Sequence, residues 1–134
     1  MTADGNTVSD EQQIRAVMDS WLLASRAGDL TALLNLMTED VVFLTPGNIP
    51  MLREQFEDTF KSMAGVIDID GRSDIQEITV IGDTAICWNL LEISVTPQAG
   101  GPTIKRAGNT LTVFHRGMDG QWRIWRDANM LAPV

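Results

Sequence analysis

Apolar residues recur with helical spacing in the first part of the chain and with the alternation of strands in the second half. Ile14, Val17, Met18 and Trp21 return every three or four positions, which gathers them on one helix face. Ser9 followed by Gln12 has the form of a capping box, and Gly28 suits the left-handed residue that ends a helix. Together they predict a first helix over residues 10–27. Asp29 can cap a second, short helix carrying Leu30, Leu33, Leu34 and Met37, after which Thr38, Glu39 and Asp40 read as turn and capping residues. A strand is expected over residues 41–45. Pro46, Gly47 and Pro50 mark a loop, and a third helix over residues 51–64 presents Leu52, Phe56, Phe60 and Met63 inward. From residue 66 the period changes, and strands are predicted at 66–70, 75–81, 84–96, 103–116 and 121–130. Turns at Gly82-Asp83, residues 97–102 and residues 117–120 join the last four as an antiparallel meander. Helices first and strands afterwards make an α+β fold, with the helices packed on one face of a strongly curved antiparallel sheet. One domain is expected over residues 1–134, with the small polar residues 1–8 as a flexible leader.

Composition agrees with a folded domain and narrows its partners. A chain of 134 residues can bury about two-thirds of its unfolded surface, and 44% hydrophobic with 21% charged residues is globular balance. A net charge of −8 lacks the clustered cations that phosphate binding needs, so nucleic acid is not an expected partner. The same acidity disfavours an anionic membrane surface, and no apolar run approaches the roughly 18 residues of a membrane span. The N-terminus has neither a basic segment nor an apolar core of the secretory kind. Cys87 is the single cysteine, which rules out an intrachain disulfide or a thiolate zinc cluster and suits a reducing, cytoplasmic setting. Asp68-Ile69-Asp70-Gly71 lacks the further ligands of a calcium loop, and phosphate loops, dinucleotide fingerprints and nucleophile elbows are missing. Neither a metal nor a cofactor is expected.

Several short motifs carry a likeness when taken in order: Ala27-Gly28-Asp29-Leu30, then Met37-Thr38-Glu39-Asp40-Val41-Val42-Phe43 with Pro46-Gly47, then Gly82-Asp83-Thr84-Ala85, and Asp119-Gly120-Gln121-Trp122-Arg123-Ile124. Spread from about residue 11 to about residue 130, they resemble the nuclear transport factor 2-like superfamily with its cystatin-like cone. Within it the chain is most similar to the SgcJ/EcaC and SnoaL-like families, small domains often found in bacterial antibiotic biosynthesis, including polyketides and enediynes. The resemblance implies a conical barrel with a pocket at its open end and a homodimer formed through the outer sheet face. It does not imply one reaction. Members resembling ketosteroid isomerase carry their general base at the end of the first strand, before the Pro-Gly loop; Thr45 stands there in this chain. Trp21 takes the first-helix position at which those isomerases place a phenolic donor.

Strand parity then proposes a pocket. Phe43 and Thr45 share a face; Cys87, Asn89 and Leu91 point inward and leave Trp88, Leu90 and Glu92 outside; Thr110, Thr112 and Phe114, and then Trp125, Asp127 and Asn129, continue the inner set. The expected walls are Trp21, Phe43, Phe60, Phe114 and Trp125, with Asn89, Asp127, Asn129, Thr45 and Thr112 as ligand-facing polar groups. Such flat rings suit a conjugated or polycyclic ligand. Asp127 among apolar walls would gain proton affinity and serve as a general acid or base; the alternative is an ion pair with Arg106, Arg123 or Arg126 at the rim, or a cap on a nearby backbone N–H. Asn89, paired in role with Asn129, would hold a ligand carbonyl or a developing oxyanion, or else satisfy buried backbone groups. His115 falls on the outer face at a strand end, and Cys87 between Ile86 and Trp88 reads as a structural thiol. The expected function is binding of a small, largely apolar metabolite, with cofactor-free cyclase, isomerase or hydratase chemistry; the competing reading is a non-catalytic binding or dimeric assembly module.

Overall fold

The computed structural model describes residues 9–134; the leader expected to be flexible, residues 1–8, lies outside the described residues. Helix α1 spans Asp10–Ala27. Its capping box is closed in both directions, with Gln12 N donating to Ser9 Oγ at 3.2 Å and Ser9 N donating to Gln12 Oε1 at 3.1 Å. Gly28 ends it at φ 70°, returning its N–H to the carbonyls of Ala24 and Ser25. Helix α2 spans Leu30–Asn35 and is capped by Asp29, whose carboxylate accepts from Ala32 N at 3.1 Å. The remaining elements are β1 (Met37–Leu44), β2 (Met51–Leu52), α3 (Arg53–Met63), β3 (Ile67–Ile81), β4 (Thr84–Pro97), β5 (Ile104–Arg116), β6 (Trp122–Asn129) and β7 (Ala132–Pro133).

Three boundaries differ from the expectation, each because a strand partner claims the backbone. Met37 through Asp40 belong to β1 rather than to a helix end and a turn, since Met37 pairs with Ile124 of β6. Met51 and Leu52 pair with Phe43 and Val42 of β1 as β2, so α3 begins at Arg53. The predicted break at residues 71–74 is absent: β3 pairs continuously with β4 from Ile67 to Ile75, and the only irregularity is a bulge between Ile75 and Glu77.

The sheet runs β2-β1-β6-β5-β4-β3, with β7 added on β5. The expected meander is present from β3 to β6, but β1 lies parallel to β6, so the curved sheet is mixed rather than antiparallel throughout. No hairpin joins these two strands, and the long intervening chain leaves their relative direction free. Helices lie against the inner face. At one end the space between them and the sheet is filled by Ile14, Met37, Val41, Ala85, Cys87, Phe114, Trp122 and Ile124, all buried. Arg116 ties this end to the start of α1, its Nη1 and the Trp122 indole both donating to Asp10 Oδ1 at 3.0 and 3.2 Å. Gly108 of β5 lets Met130 and Leu131 cross tightly behind it; a side chain there would run into the Met130 carbonyl. Among the described residues no helix is long and apolar enough to cross a membrane.

Candidate functional site: a cavity with one buried carboxyl

At the opposite end the helices and the inner sheet face enclose a cavity of about 340 Å³. One wall is a chain of aromatic rings. Trp21 of α1 lies 5.9 Å from Phe43 of β1 and 5.6 Å from Phe56 of α3, Phe56 stacks on Phe43 at 5.1 Å, and Phe60 continues the row at 6.1 Å. These separations are those at which rings pack favourably. The rings are brought together by helical spacing on α3 (Phe56, Phe60) and by inward parity on β1.

The sheet wall mixes apolar residues, Ile69, Leu91, Ile93 and Ile124, with a cluster of polar ones. Thr112 and Asp127 are direct partners across β5 and β6, and Thr112 Oγ1 donates to Asp127 Oδ1 at 2.6 Å. Asp127 has no ion pair among the described residues, so the arginine alternative is not met. Arg123 is held by Asp119 at 2.8 Å, and Arg126 donates to the carbonyls of Asp40 and Trp125. Burial therefore pushes the Asp127 carboxyl up from its ordinary value, and the Thr112 hydroxyl opposes this only in part. Asp127 is among the residues that line the cavity.

Asn89 is 1% exposed; its Oδ1 accepts from Ser73 Oγ at 3.0 Å and its Nδ2 donates to Thr110 Oγ1 at 2.6 Å. The amide is thus fixed by side chains and not by backbone groups. Asn129 Oδ1 accepts from Leu131 N at 3.4 Å, while its Nδ2 has no partner among the described residues. The Trp21 indole N–H likewise has none, and Thr45 Oγ1 accepts from Asn48 Nδ2 at 3.0 Å. Two donors that neighbouring residues leave unused thus belong to residues lining an apolar space with one carboxyl.

Trp21, Phe43, Thr45, Phe60, Asn89, Thr112, Asp127 and Asn129 line the cavity. Phe114 and Trp125 do not. Phe114 faces inward as parity requires, but two residues beyond Thr112 it is already in the filled end, fully buried. Trp125 is turned outward by a bulge: Val113 pairs with Arg126 and Phe114 with Ile124, so Trp125 is skipped and the inward set passes to Ile124. Its indole donates to Asp40 Oδ2 at 3.2 Å, and its ring sits 5.6 Å from His115, which is exposed on the outer face. Phe56, Ser73 and Thr110 also line the cavity. Phe56 and Thr110 were detectable from the helical period and strand parity, whereas Ser73 was hidden by the supposed break in its strand. Cys87 is fully buried and its thiol is pushed up to about 11 by desolvation, which makes it inert near neutral pH. No group of three or more His, Cys, Asp or Glu side chains among the described residues could hold a metal ion.

Comparison with known proteins places this architecture. A family model described as a SnoaL-like domain matches residues 14–128. A conserved protein from Planctomyces limnophilus is 38% identical with a TM-score of 0.91, the match covering 93% of this chain and 98% of that one. A ketosteroid isomerase-like protein from Erwinia carotovora shares the fold at 21% identity and a TM-score of 0.77, over 95% of this chain and 98% of that one. A nuclear transport factor 2-like superfamily protein from Salmonella enterica does so at 18% identity and 0.78, over 89% and 88%. No curated protein matches the chain. Since the family model spans nearly all of the folded residues, and the Planctomyces structure agrees over almost the whole of both chains, this chain belongs to the SnoaL-like domain family.

Proposed function

We propose that the chain works as a one-domain, cytoplasmic, cofactor-free acid–base catalyst on a small ring-containing carbonyl compound. The observation that carries this reading is the Asp127 carboxyl, buried in an apolar cavity and bonded to Thr112 alone. Such a carboxyl keeps its proton to higher pH than an exposed one, which moves it toward the range in which one group can both take and return a proton. In this reading Asp127 takes a proton from the carbon next to a ligand carbonyl. The oxygen that becomes negative accepts hydrogen bonds from Asn129 Nδ2 and the Trp21 indole, two donors without a partner among the described residues. Asn89 positions Thr110 and Ser73 rather than meeting the ligand first. The likeness to a ketosteroid isomerase-like structure supports a reaction of this class, although the proposed base sits on β6 here and Thr45, not a carboxylate, directly follows β1. Membership of the SgcJ/EcaC group, with a polyketide- or enediyne-type substrate, is the setting this chemistry fits.

The test is solvent-deuterium exchange at C2 of 1-tetralone, followed by proton NMR. The wild-type protein should speed exchange, and Asp127→Asn should slow the protein-dependent rate about a hundredfold, the lower end for loss of a general base. Equal rates in the two proteins would remove the acid–base role. Binding of 1-tetralone without exchange in either would leave the chain as a non-catalytic carrier, a reading favoured by the missing carboxylate at Thr45.

We also propose a homodimer through the outer sheet face, where Trp88, Leu90 and Leu111 are 43%, 44% and 45% exposed on adjoining positions of β4 and β5. Apolar side chains grouped in this way usually mark an interface. Leu90→Glu should convert a sedimenting dimer to monomer at micromolar concentration; a monomeric wild type would contradict it.

A further inference from the structure

A second hollow of about 260 Å³ adjoins the first, and Ser25, Arg26, Phe60, Met63 and Ile69 line both. It lies where α1 and α3 end, against the start of β3 and the turn after β4. Its chemistry differs from that of the main cavity. Arg26 is neutralised by Asp70, with Nε and Nη2 at 2.9 and 2.8 Å, which leaves Nη1 without a partner among the described residues. Gln98 Nε2 donates to Asp68 Oδ1 at 3.0 Å, so the second carboxylate oxygen stays free to accept. Guanidinium, carboxylate and carboxamide edges, with the Ser25 hydroxyl beside them, offer donors and acceptors together and no unpaired cation. Neighbouring hydroxyl groups, which both donate and accept, match such planar edges; a phosphate or carboxylate does not. Among the described residues the ionisable side chains lining the main cavity are Asp127, whose burial favours the protonated form, and Arg26, which stands at the boundary already paired with Asp70, so the part of a ligand held there is uncharged.

We propose that the natural ligand has two parts, a neutral ring body in the main cavity and a hydroxyl-rich extension of the glycoside kind in the second hollow. This rests on the reading of the main cavity as the ring site, and the experiment separates the two. Calorimetric titration with 2-naphthol measures the ring site alone, and 2-naphthyl β-D-glucopyranoside measures both. The glucoside should bind about tenfold more tightly than the naphthol, the gain from one or two added hydrogen bonds. Gln98→Ala and Asp68→Ala should each reduce that advantage to less than about threefold and leave naphthol affinity unchanged, which also reports that the variants are folded. A glucoside no tighter than the naphthol, or an advantage that survives both substitutions, would overturn the extension while leaving the ring site intact. Failure of both compounds to bind would overturn both readings.

Discussion

Replacing Phe114 by alanine should lower the unfolding free energy by about 3–5 kcal/mol, the range for removing a large ring from a packed interior. Phe114 is fully buried, and it shares the filled end with Ile14, Met37, Val41 and Trp122. Those neighbours come from α1, β1 and β6, elements fixed by the sheet ladder and by the Asp10 contacts to Arg116 and Trp122, so the site cannot collapse freely around the gap. Urea unfolding should show a lower midpoint with an unchanged slope, the signature of lost stability without a change in the exposed surface. Because Phe114 does not line the cavity, the folded variant should still take up 2-naphthol. A loss under about 1 kcal/mol would mean that this end is loosely packed, contrary to its burial.

The second large effect is on the pH dependence of stability. Asp127 has a higher pKa in the folded chain than in the unfolded one, because burial disfavours its charge. Between the two values the native state carries one more proton than the unfolded state. Stability therefore falls as pH rises through that window, by about 1.4 kcal/mol per unit, and the fall stops once the carboxyl is ionised in both states. The contribution is fully present below the unfolded value and lost above the folded one. Asparagine keeps the shape and can still accept from Thr112 but cannot ionise. Asp127→Asn should thus match the wild type under acidic conditions and be more stable at neutral pH, with the difference growing along the window. Thermal unfolding of both proteins across pH is the check, and parallel curves would show that Asp127 ionises as freely when folded as when unfolded.

How much of this could be seen in the chain depended on whether a feature is local. The α1 cap at Ser9 and its stop at Gly28 are written in adjacent residues, and the structure reproduces both. Inward parity along β4 needed only alternation, and Asn89 and Leu91 line the cavity while Trp88 and Leu90 face out. Features set by a distant partner were not visible. Met37 becomes strand because β6, almost ninety positions away, pairs with it. Trp125 turns outward because the β5–β6 ladder absorbs one extra residue at the Val113–Phe114 step, and a bulge of this kind leaves no trace in an alternating sequence. Asp127 kept its inward place only because it lies on the near side of that bulge. The depth of the cavity is not visible in the sequence either, since it depends on how closely α1 approaches the sheet, and strand parity alone therefore places Phe114 in a pocket that ends before it.

Among the described residues the cavity lining holds one carboxyl, Asp127, bonded to Thr112, and in the proposed function a ring compound completes its surroundings. The direct test follows the 13C resonance of the Asp127 carboxyl through a pH titration, alone and with saturating 1-tetralone. The midpoint should lie clearly above the ordinary carboxyl value of 3.8 in the free protein and move higher still when the ketone displaces water from the cavity. A midpoint at the ordinary value, unchanged by the ketone, would contradict the proposed function.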